Sequence, residues 1–172
     1  EIEIIDKIIS LMKNKETVAI LSDAGAPLIS DPGYPLIQSC IKNAIPYTVI
    51  PGPSSVINSL LLSGLPTDKF LFNGFLPKKI AAKKEIALEI KTSNVTNIFF
   101  ESAKRIQKTI EIFSDVLCPE TSVAVCREMT KKYESIYRGS LREILNLIKR
   151  DKIKLRGEFV IVLNTSNSFI KK

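Results

Sequence analysis

The sequence contains no histidine, and its three cysteines, Cys40, Cys118 and Cys126, form no CxxC pair. The lack of histidine excludes Ser-His and Cys-His nucleophile pairs, histidine general bases and His-ligated metal sites. The cysteine spacing favours reduced thiols over a disulfide framework or a zinc site. No apolar run approaches the length of a membrane span, and no signal peptide is visible. We therefore expect a cytoplasmic protein that uses no metal and no membrane.

Positive charge is concentrated in the second half of the chain. The 172 residues, 45% of them hydrophobic, suffice for one domain or two small ones. Residues 1–75 carry 5 Lys/Arg and 7 Asp/Glu, a net charge of −2, whereas residues 76–172 carry 20 and 11, a net charge of +9. This asymmetry indicates a small ligand on the first half and a polyanion on the second. The sign changes at Gly74-Phe75-Leu76-Pro77, which predicts domains at 1–74 and 75–172.

Two loops rich in glycine and proline each follow an apolar, β-branched run. The first, residues 22–35, follows a predicted buried strand at Thr17–Ser22, and the second, Pro51–Ser55, follows a predicted buried strand at Tyr47–Ile50. A helix is predicted after each loop. Two consecutive strand–loop–helix units predict a parallel sheet with both loops at one edge, where α/β proteins bind small ligands.

The remaining elements follow from hydrophobic periodicity. Strands that follow each other without a helix, before and after Lys131, predict mixed pairing in the second half. The predicted helices lie near 3–14, from Tyr34, at 56–62 with Ser54 or Ser55 as N-cap, at 79–91, 102–116 and 141–149; the further strands lie at 70–72, 95–100, 122–126, 135–138 and 158–163.

The loops lack the usual phosphate-binding signatures. Neither GxGxxG nor GxxxxGK[ST] is present, so the predicted ligand has no pyrophosphate that needs such a cradle. A nucleoside-like cofactor fits better. Asp23 and Asp31 bracket the first loop, where each either caps a turn or binds a polar group of the ligand.

Charged residues cluster after the strands of the second half. Glu101 and Arg105 are spaced for an ion pair that either supports a helix or lies at a cleft edge. Arg127, Lys131 and Lys132 fit phosphate contacts and solvated charges equally well. Two basic runs are typical of solvated faces when each is considered alone, and together they suggest a phosphate-binding surface: Lys78, Lys79, Lys83 and Lys84, then Lys149, Arg150, Lys152, Lys154 and Arg156.

Six sequence blocks together resemble a known family. In order they are SDAGAPLISDPG, PGPSS, FxGFLP, FFES with Arg105, CREMTK and RGEFVIV, and they span essentially the whole chain. They are similar to the ribosomal RNA small-subunit methyltransferase I group of the tetrapyrrole methylase superfamily. The resemblance implies a tetrapyrrole-methylase-like α/β fold of two α/β domains with a cofactor cleft between them. It also implies a homodimer that uses S-adenosylmethionine to methylate a cytidine ribose 2′-hydroxyl in small-subunit ribosomal RNA.

The resemblance suggests the cofactor loops, and the charge pattern with the expected reaction suggests the catalytic and RNA-binding residues. Glu101 and Glu128 are the candidate catalytic residues that orient the hydroxyl or accept its proton. The candidate RNA-binding residues are Lys78, Lys79, Arg105, Lys131 and Lys132. The candidate cofactor-binding residues are Asp23, Gly25, Ala26, Pro27, Ser30, Asp31, Pro51, Gly52, Pro53, Ser54, Ser55, Phe100, Arg127, Met129 and Thr130.

The chain departs from the family pattern in two places. Family members begin with a strand and a Gly-Pro-rich loop that this sequence does not contain, so we expect the first domain to be incomplete. Ala26 stands where many tetrapyrrole methylases have aspartate, a role for which Asp31 is the alternative. Two other functions compete with ribosomal RNA methylation: a tetrapyrrole C-methyltransferase and a non-catalytic RNA-binding fragment.

Overall fold

The computed structural model describes residues 2–23 and 25–166, in which the chain forms six helices and five strands. Most elements lie within a few residues of their predicted positions. Helix α5 begins at Ile106 rather than at Ser102, because residues 103–105 form a turn that continues from strand β2. The elements are α1 (Ile2–Lys13), α2 (Tyr34–Lys42), α3 (Ser55–Ser63), β1 (Phe70–Phe75), α4 (Ile80–Lys91), β2 (Thr96–Ser102), α5 (Ile106–Val116), β3 (Ser122–Arg127), β4 (Ser135–Ser140), α6 (Leu141–Lys149) and β5 (Glu158–Asn164).

The five strands form one sheet in the order β1-β2-β5-β3-β4. Strand β1 pairs with β2 in parallel, and every other pair is antiparallel. The prediction of mixed pairing is therefore confirmed. Strand β5 lies in the centre of the sheet between β2 and β3.

Side chains alternate between two apolar layers, as the two-residue period of a strand requires. On one face, Phe99, Phe159 and Ile161 belong to the core that packs against α4, α5 and α6. On the other face, Val160 and Val162 belong to a smaller core that includes residues of α3. Both faces of the central strand are buried, which explains why β5 is a nearly continuous apolar run.

The chain divides into two compact units, Glu1–Pro53 and Ser54–Lys172. The sheet and helices α3 to α6 belong to the second unit, and α1 and α2 belong to the first. Strand β1 is hydrogen-bonded to β2 and is therefore part of the second unit's sheet. The predicted domain boundary between residues 74 and 75 differs from this division and stays a prediction.

The two strands predicted in the first unit are absent from its described residues. Segments 17–22 and 47–50 have no regular structure, and Leu21 and Ile50 are each 89% exposed. The predicted parallel sheet with both loops at one edge is therefore wrong for the described residues. The physical reason is that β-branched composition favours a strand only where a ladder partner and a face to pack on exist. No described residue pairs with either segment.

The first unit is held by a small helix–helix contact. Ile9 of α1 packs with Leu36 and Cys40 of α2, and all three are buried. Gly33 precedes α2 with φ of 128°, a conformation that favours glycine. The helical periodicity of both segments is thus confirmed, although the strands expected between them are not formed.

Cysteine reactivity provides a test of both cores. Cys118 is exposed, whereas Cys40 and Cys126 are buried, and burial raises the pKa of the Cys126 thiol to about 11. Only the thiolate is nucleophilic, so at pH 8 Cys126 remains protonated and shielded. We expect a disulfide reagent to modify Cys118 rapidly and the other two thiols only after addition of denaturant. Absorbance and peptide mass measure this, and rapid native labelling of Cys126 would contradict the packing around β3.

Candidate functional site

Glu101, near the end of β2, has a buried carboxylate with both oxygens occupied. Oε1 forms an ion pair with Nη2 of Arg105 at 2.7 Å and accepts the backbone N–H of Ser102 at 2.8 Å. Oε2 accepts hydrogen bonds from Nζ of Lys83 and Oγ1 of Thr109, both at 2.7 Å. Four donors around one carboxylate occupy both of its oxygens with partners from the protein itself.

Lys83 is a partner that the sequence analysis did not identify. Its side chain is 3% exposed and also donates a hydrogen bond to Thr109. The prediction that it belongs to a solvated basic run is therefore wrong. A signal was present in the sequence, because Lys83 precedes the buried residues Ala87 and Ile90 by four and seven positions, the spacing of one helix face.

Arg105 holds backbone on both sides of the Glu101 carboxylate. Besides the ion pair, its Nε donates to Oγ of Ser102 at 3.1 Å and its Nη1 donates to the carbonyl of Leu76 at 3.2 Å. The predicted ion pair between Glu101 and Arg105 is confirmed. Because its guanidinium has three protein partners, Arg105 is better suited to fixing these turns than to binding a phosphate.

Arg127 lies at the end of β3, level with Glu101 in the sheet. Both residues are paired with Phe159 of β5, one on each side. The guanidinium of Arg127 is directed at backbone: Nε donates to the carbonyl of Arg156 at 2.7 Å and Nη1 to that of Tyr133 at 3.0 Å. Arg127 therefore connects the turn after β3 with the segment that enters β5.

The turn after β3 has an unusual backbone that is held by hydrogen bonds. Glu128 and Thr130 have φ of 50° and 64°, in the left-handed region that ordinary residues seldom adopt. The backbone N–H of Glu128 donates to the carbonyl of Glu158 at 2.9 Å, and Oε1 of Glu128 accepts the N–H of Glu158 at 2.8 Å. The N–H of Thr130 donates to Oε2 of Glu134 at 2.7 Å. The turn is thus ordered by its own side chains.

Lys131 is also engaged within this turn. Its Nζ lies 2.8 Å from Oε2 of Glu158 and 3.7 Å from Oε1 of Glu128. The hydrogen bond that Lys131 donates to Glu158 is the main cause that raises the pKa of Lys131. Lys132 is exposed, with Nζ 5.7 Å from the ring centre of Tyr133. Of the two lysines of this turn that are predicted to contact RNA, Lys132 is the more exposed.

Other predicted site residues of the second unit have varied surroundings. Phe100 is half-buried and forms edge-on contacts with Phe72 and Phe75, whose ring centres lie 4.9 and 5.3 Å away. Met129 is buried in the core on the α3 face of the sheet, and its assignment to the cofactor site stays a prediction. Ser54 is the N-cap of α3, and its hydroxyl accepts the N–H of Ile57 at 3.4 Å. Of the two predicted N-cap residues of this helix, Ser54 and Ser55, the first is confirmed.

The predicted cofactor loops of the first unit leave their backbone available. In the described residues, no backbone–backbone hydrogen bond uses a group of 22–23, 25–31 or 51–53; the carbonyl of Gly25 accepts the hydroxyl of Ser22 at 3.0 Å. A Cβ added to Gly52 meets no atom within 4 Å. The remaining predicted residues are exposed or half-buried, and Ser55 opens α3 and Lys79 precedes α4; they are Asp23, Ala26, Pro27, Ser30, Asp31, Pro51, Pro53, Ser55, Lys78 and Lys79.

Two further findings concern ligand classes. No helix in residues 2–23 and 25–166 is long and apolar enough to cross a membrane. In the same part of the chain, no group of three or more His, Cys, Asp or Glu side chains is arranged to hold a metal ion.

The buried carboxylate predicts a large stability difference between two neighbouring lysines. We expect Lys83→Met to lower the free energy of unfolding by about 3–5 kcal/mol, because it leaves Glu101 buried with fewer donors. Lys84→Met is the matched control, since Lys84 is exposed on the same helix, and we expect a change within about 0.5 kcal/mol. Urea unfolding followed by circular dichroism measures both. Equal effects of the two substitutions would contradict the network.

Gly157 predicts a second, separable effect. Its φ is +92°, and a Cβ there would lie 2.4 Å from Oε1 of Glu128. We expect Gly157→Ala to destabilise the chain by about 1–3 kcal/mol, through backbone strain and displacement of the Glu128 carboxylate. The Glu128→Ala background removes the clash and keeps the strain, so Gly157→Ala should cost less there. An identical cost in both backgrounds would show that Glu128 is not seated against Gly157.

The sequence matches one protein family over most of its length. The profile of Tetrapyrrole (Corrin/Porphyrin) Methylases matches residues 2–145. Solved structures with this fold include a cobalt precorrin-4 methyltransferase, with a TM-score of 0.65 and 15% identity over 94% of this chain and 70% of that one. A uroporphyrin-III-C-methyltransferase from Thermus thermophilus has a TM-score of 0.64 and 18% identity over 95% and 70%. At such identities the likeness shows the fold alone.

Relatives of higher identity have names that specify ribosomal RNA. The Ribosomal RNA small subunit methyltransferase I of Hydrogenobaculum sp. (strain Y04AAS1) is 41% identical over 98% of this chain and 72% of that protein. The protein of the same name from Vibrio cholerae is 41% identical over 94% of this chain and 54% of that protein. The chain thus spans about half the length of several relatives that it matches. It belongs to the tetrapyrrole methylase family and, within it, to the ribosomal RNA small subunit methyltransferase I group.

Proposed function

We propose that this chain takes part in S-adenosylmethionine-dependent methylation of a cytidine ribose 2′-hydroxyl in small-subunit ribosomal RNA. Family membership supports methyl transfer, and the names of the relatives support the RNA substrate. Since the chain spans only part of those relatives, we propose cofactor binding and RNA binding for the chain itself and complete turnover for the full architecture. The homodimer remains a prediction from the resemblance, and the cytoplasmic location remains a prediction from the cysteine pattern.

The observation that carries this proposal is the free backbone of the first unit's loops. A nucleoside with an amino-acid group needs closely spaced amide and carbonyl partners and a surface that its atoms can approach. In the described residues the 51–53 loop has unused backbone groups, and Gly52 has open space where a side chain would stand. In the other loop, Gly25 has φ of 75°, a backbone conformation that favours glycine. These features fit a cofactor without a pyrophosphate.

The protein's contribution to the reaction is mainly alignment and proton handling. When bound, S-adenosylmethionine supplies an electrophilic methyl group. Alignment of the reacting groups lowers the activation barrier by roughly 7–11 kcal/mol. A general base typically accelerates a reaction about a hundred- to ten-thousand-fold, which corresponds to a smaller lowering of the barrier. The four donors around Glu101 make it a positioning residue rather than the base. Of the two predicted acids, Glu128 is the better candidate to orient the ribose hydroxyl, because its side chain is 17% exposed.

The tetrapyrrole C-methyltransferase alternative has weaker support. Structures of that activity are similar to this chain at 15% and 18% identity, which extends to the fold alone. The relatives named for ribosomal RNA are 41% identical.

Cofactor binding is tested at Gly52. We expect the chain to bind S-adenosylhomocysteine in calorimetry, and we expect Gly52→Ala to weaken the affinity at least tenfold, because the new methyl group occupies space that the ligand needs. The same substitution should leave the unfolding midpoint unchanged, since its Cβ meets no protein atom. Gln38→Ala on α2 is the control, because Gln38 is exposed in the same unit. Undiminished affinity of Gly52→Ala would remove this loop from the cofactor site.

The acceptor is tested by transfer of a labelled methyl group from S-adenosylmethionine. Small-subunit ribosomal RNA and uroporphyrinogen are offered separately to the full architecture, for which turnover is proposed. Label in an alkali-resistant dinucleotide indicates ribose methylation, because a 2′-O-methyl group prevents alkaline cleavage at that position. Label in the tetrapyrrole would instead establish the alternative activity. RNA binding without affinity for the cofactor would identify the chain as a non-catalytic RNA-binding fragment.

A further inference from the structure

A short basic segment begins at the last residue of α6 and leads towards β5. We call residues 149–156 the basic loop. It contains five cations and one acid, Asp151, for a net charge of +4. All of its residues are exposed except Ile153, which is 2% exposed and belongs to the core beneath α5 and α6. The loop is therefore attached to the second unit at its middle and presents its charges outward.

The backbone of the basic loop is fixed at three points. After α6, the N–H of Asp151 donates to the carbonyl of Ile148 at 3.0 Å and that of Lys152 to Leu147 at 2.9 Å. This is a Schellman arrangement, with Asp151 at φ of 53°. The buried side chain of Ile153 is the second point, and the Arg127 guanidinium on the carbonyl of Arg156 is the third. An ordered loop loses less conformational entropy on binding than a flexible tail does.

The cations of the basic loop form no ion pair with a described carboxylate of the protein. In the part of the chain that the structure describes, no ion pair includes a residue of 149–156. Lys149 and Arg150 stabilise the carboxyl end of α6, and Lys149 also helps to lower the pKa of Glu111. Neither role applies to Lys152 and Lys154, which lie beyond the helix. Helix stabilisation therefore explains only part of this charge.

We propose that the basic loop binds the phosphate backbone of the RNA substrate and directs that strand to the turn after β3. This inference rests on the proposed function. Arg127 connects the two segments directly through the carbonyl of Arg156, and Glu128 is held by paired hydrogen bonds to Glu158, the first residue of β5 after the loop. Fixed, unpaired cations are the groups that displace counterions from phosphates. A membrane surface is disfavoured, because membrane binding needs several apolar side chains to insert. Within residues 149–156, Leu155 is the single large apolar side chain that is exposed, at 40%.

The test neutralises the free cations of the loop. A triple variant, Arg150→Gln, Lys152→Gln and Lys154→Gln, is compared with a matched triple, Lys69→Gln, Lys91→Gln and Lys104→Gln, whose residues are exposed elsewhere in the same unit. Fluorescence anisotropy with a single-stranded fragment of small-subunit ribosomal RNA gives Kd at several salt concentrations. We expect the loop variant to raise Kd at least tenfold at low salt. The slope of log Kd against log salt should fall by about two, at about 0.7 per lost phosphate contact.

Each outcome separates this inference from the proposed function. A loop variant with the parent's slope, or a control triple that loses as much, would overturn the inference even if S-adenosylhomocysteine binds. No RNA affinity of the parent chain, or loop-dependent binding to anionic vesicles in place of RNA, would overturn it as well. Loss of RNA binding in the loop variant, with binding retained in the control triple, would support the inference. Failure of the chain to bind the cofactor would count against the proposed enzyme and not against this inference. Unfolding midpoints of all variants confirm that each one folds.

Discussion

The second unit depends on the insertion of β5 between β2 and β3. Phe159 of that strand is opposite Glu101 on one side and Arg127 on the other. Adjacent strands lie about 4.8 Å apart, so the two charged residues are level and roughly 10 Å from each other. The blocks FFES and CREMTK are distant along the chain, and pairing with the third block, RGEFVIV, places them at the same end of neighbouring strands. The third block therefore acts mainly by positioning the other two.

Most of the charges within these blocks maintain the backbone. A buried ion is tolerated when its partners compensate for lost hydration, and Glu101 has four donors that do so. Arg105 and Arg127 each donate to main-chain carbonyls. The formal charge of +7 therefore overstates what is available to a polyanion. The relevant subset consists of cations with no carboxylate partner on a fixed backbone, and the basic loop supplies it.

Hydrophobic period and turn residues predicted the helices and the strands of the second unit because those elements bury a regular face. The same reasoning did not find the environment of Lys83, although its spacing to Ala87 places it on the buried face. A lysine within a basic run is indistinguishable from solvated neighbours unless its partner is known, and Glu101 comes from a different element. The left-handed backbone at Glu128 and Thr130 was equally hidden, because it depends on contacts with Glu158 and Glu134 rather than on a glycine.

In the first unit, local composition and tertiary context point in different directions. Segments 17–22 and 47–50 have the residues of strands, but hydrogen bonds to a neighbouring strand are what make a strand, and the described residues offer none. Helices α1 and α2 still pack through Ile9, Leu36 and Cys40. Between these helices, the hydroxyl of Ser22 donates to the carbonyl of Gly25 within the first glycine-proline loop. In the described residues of this unit, helix packing and local hydrogen bonds therefore stand in place of the sheet that the composition suggests.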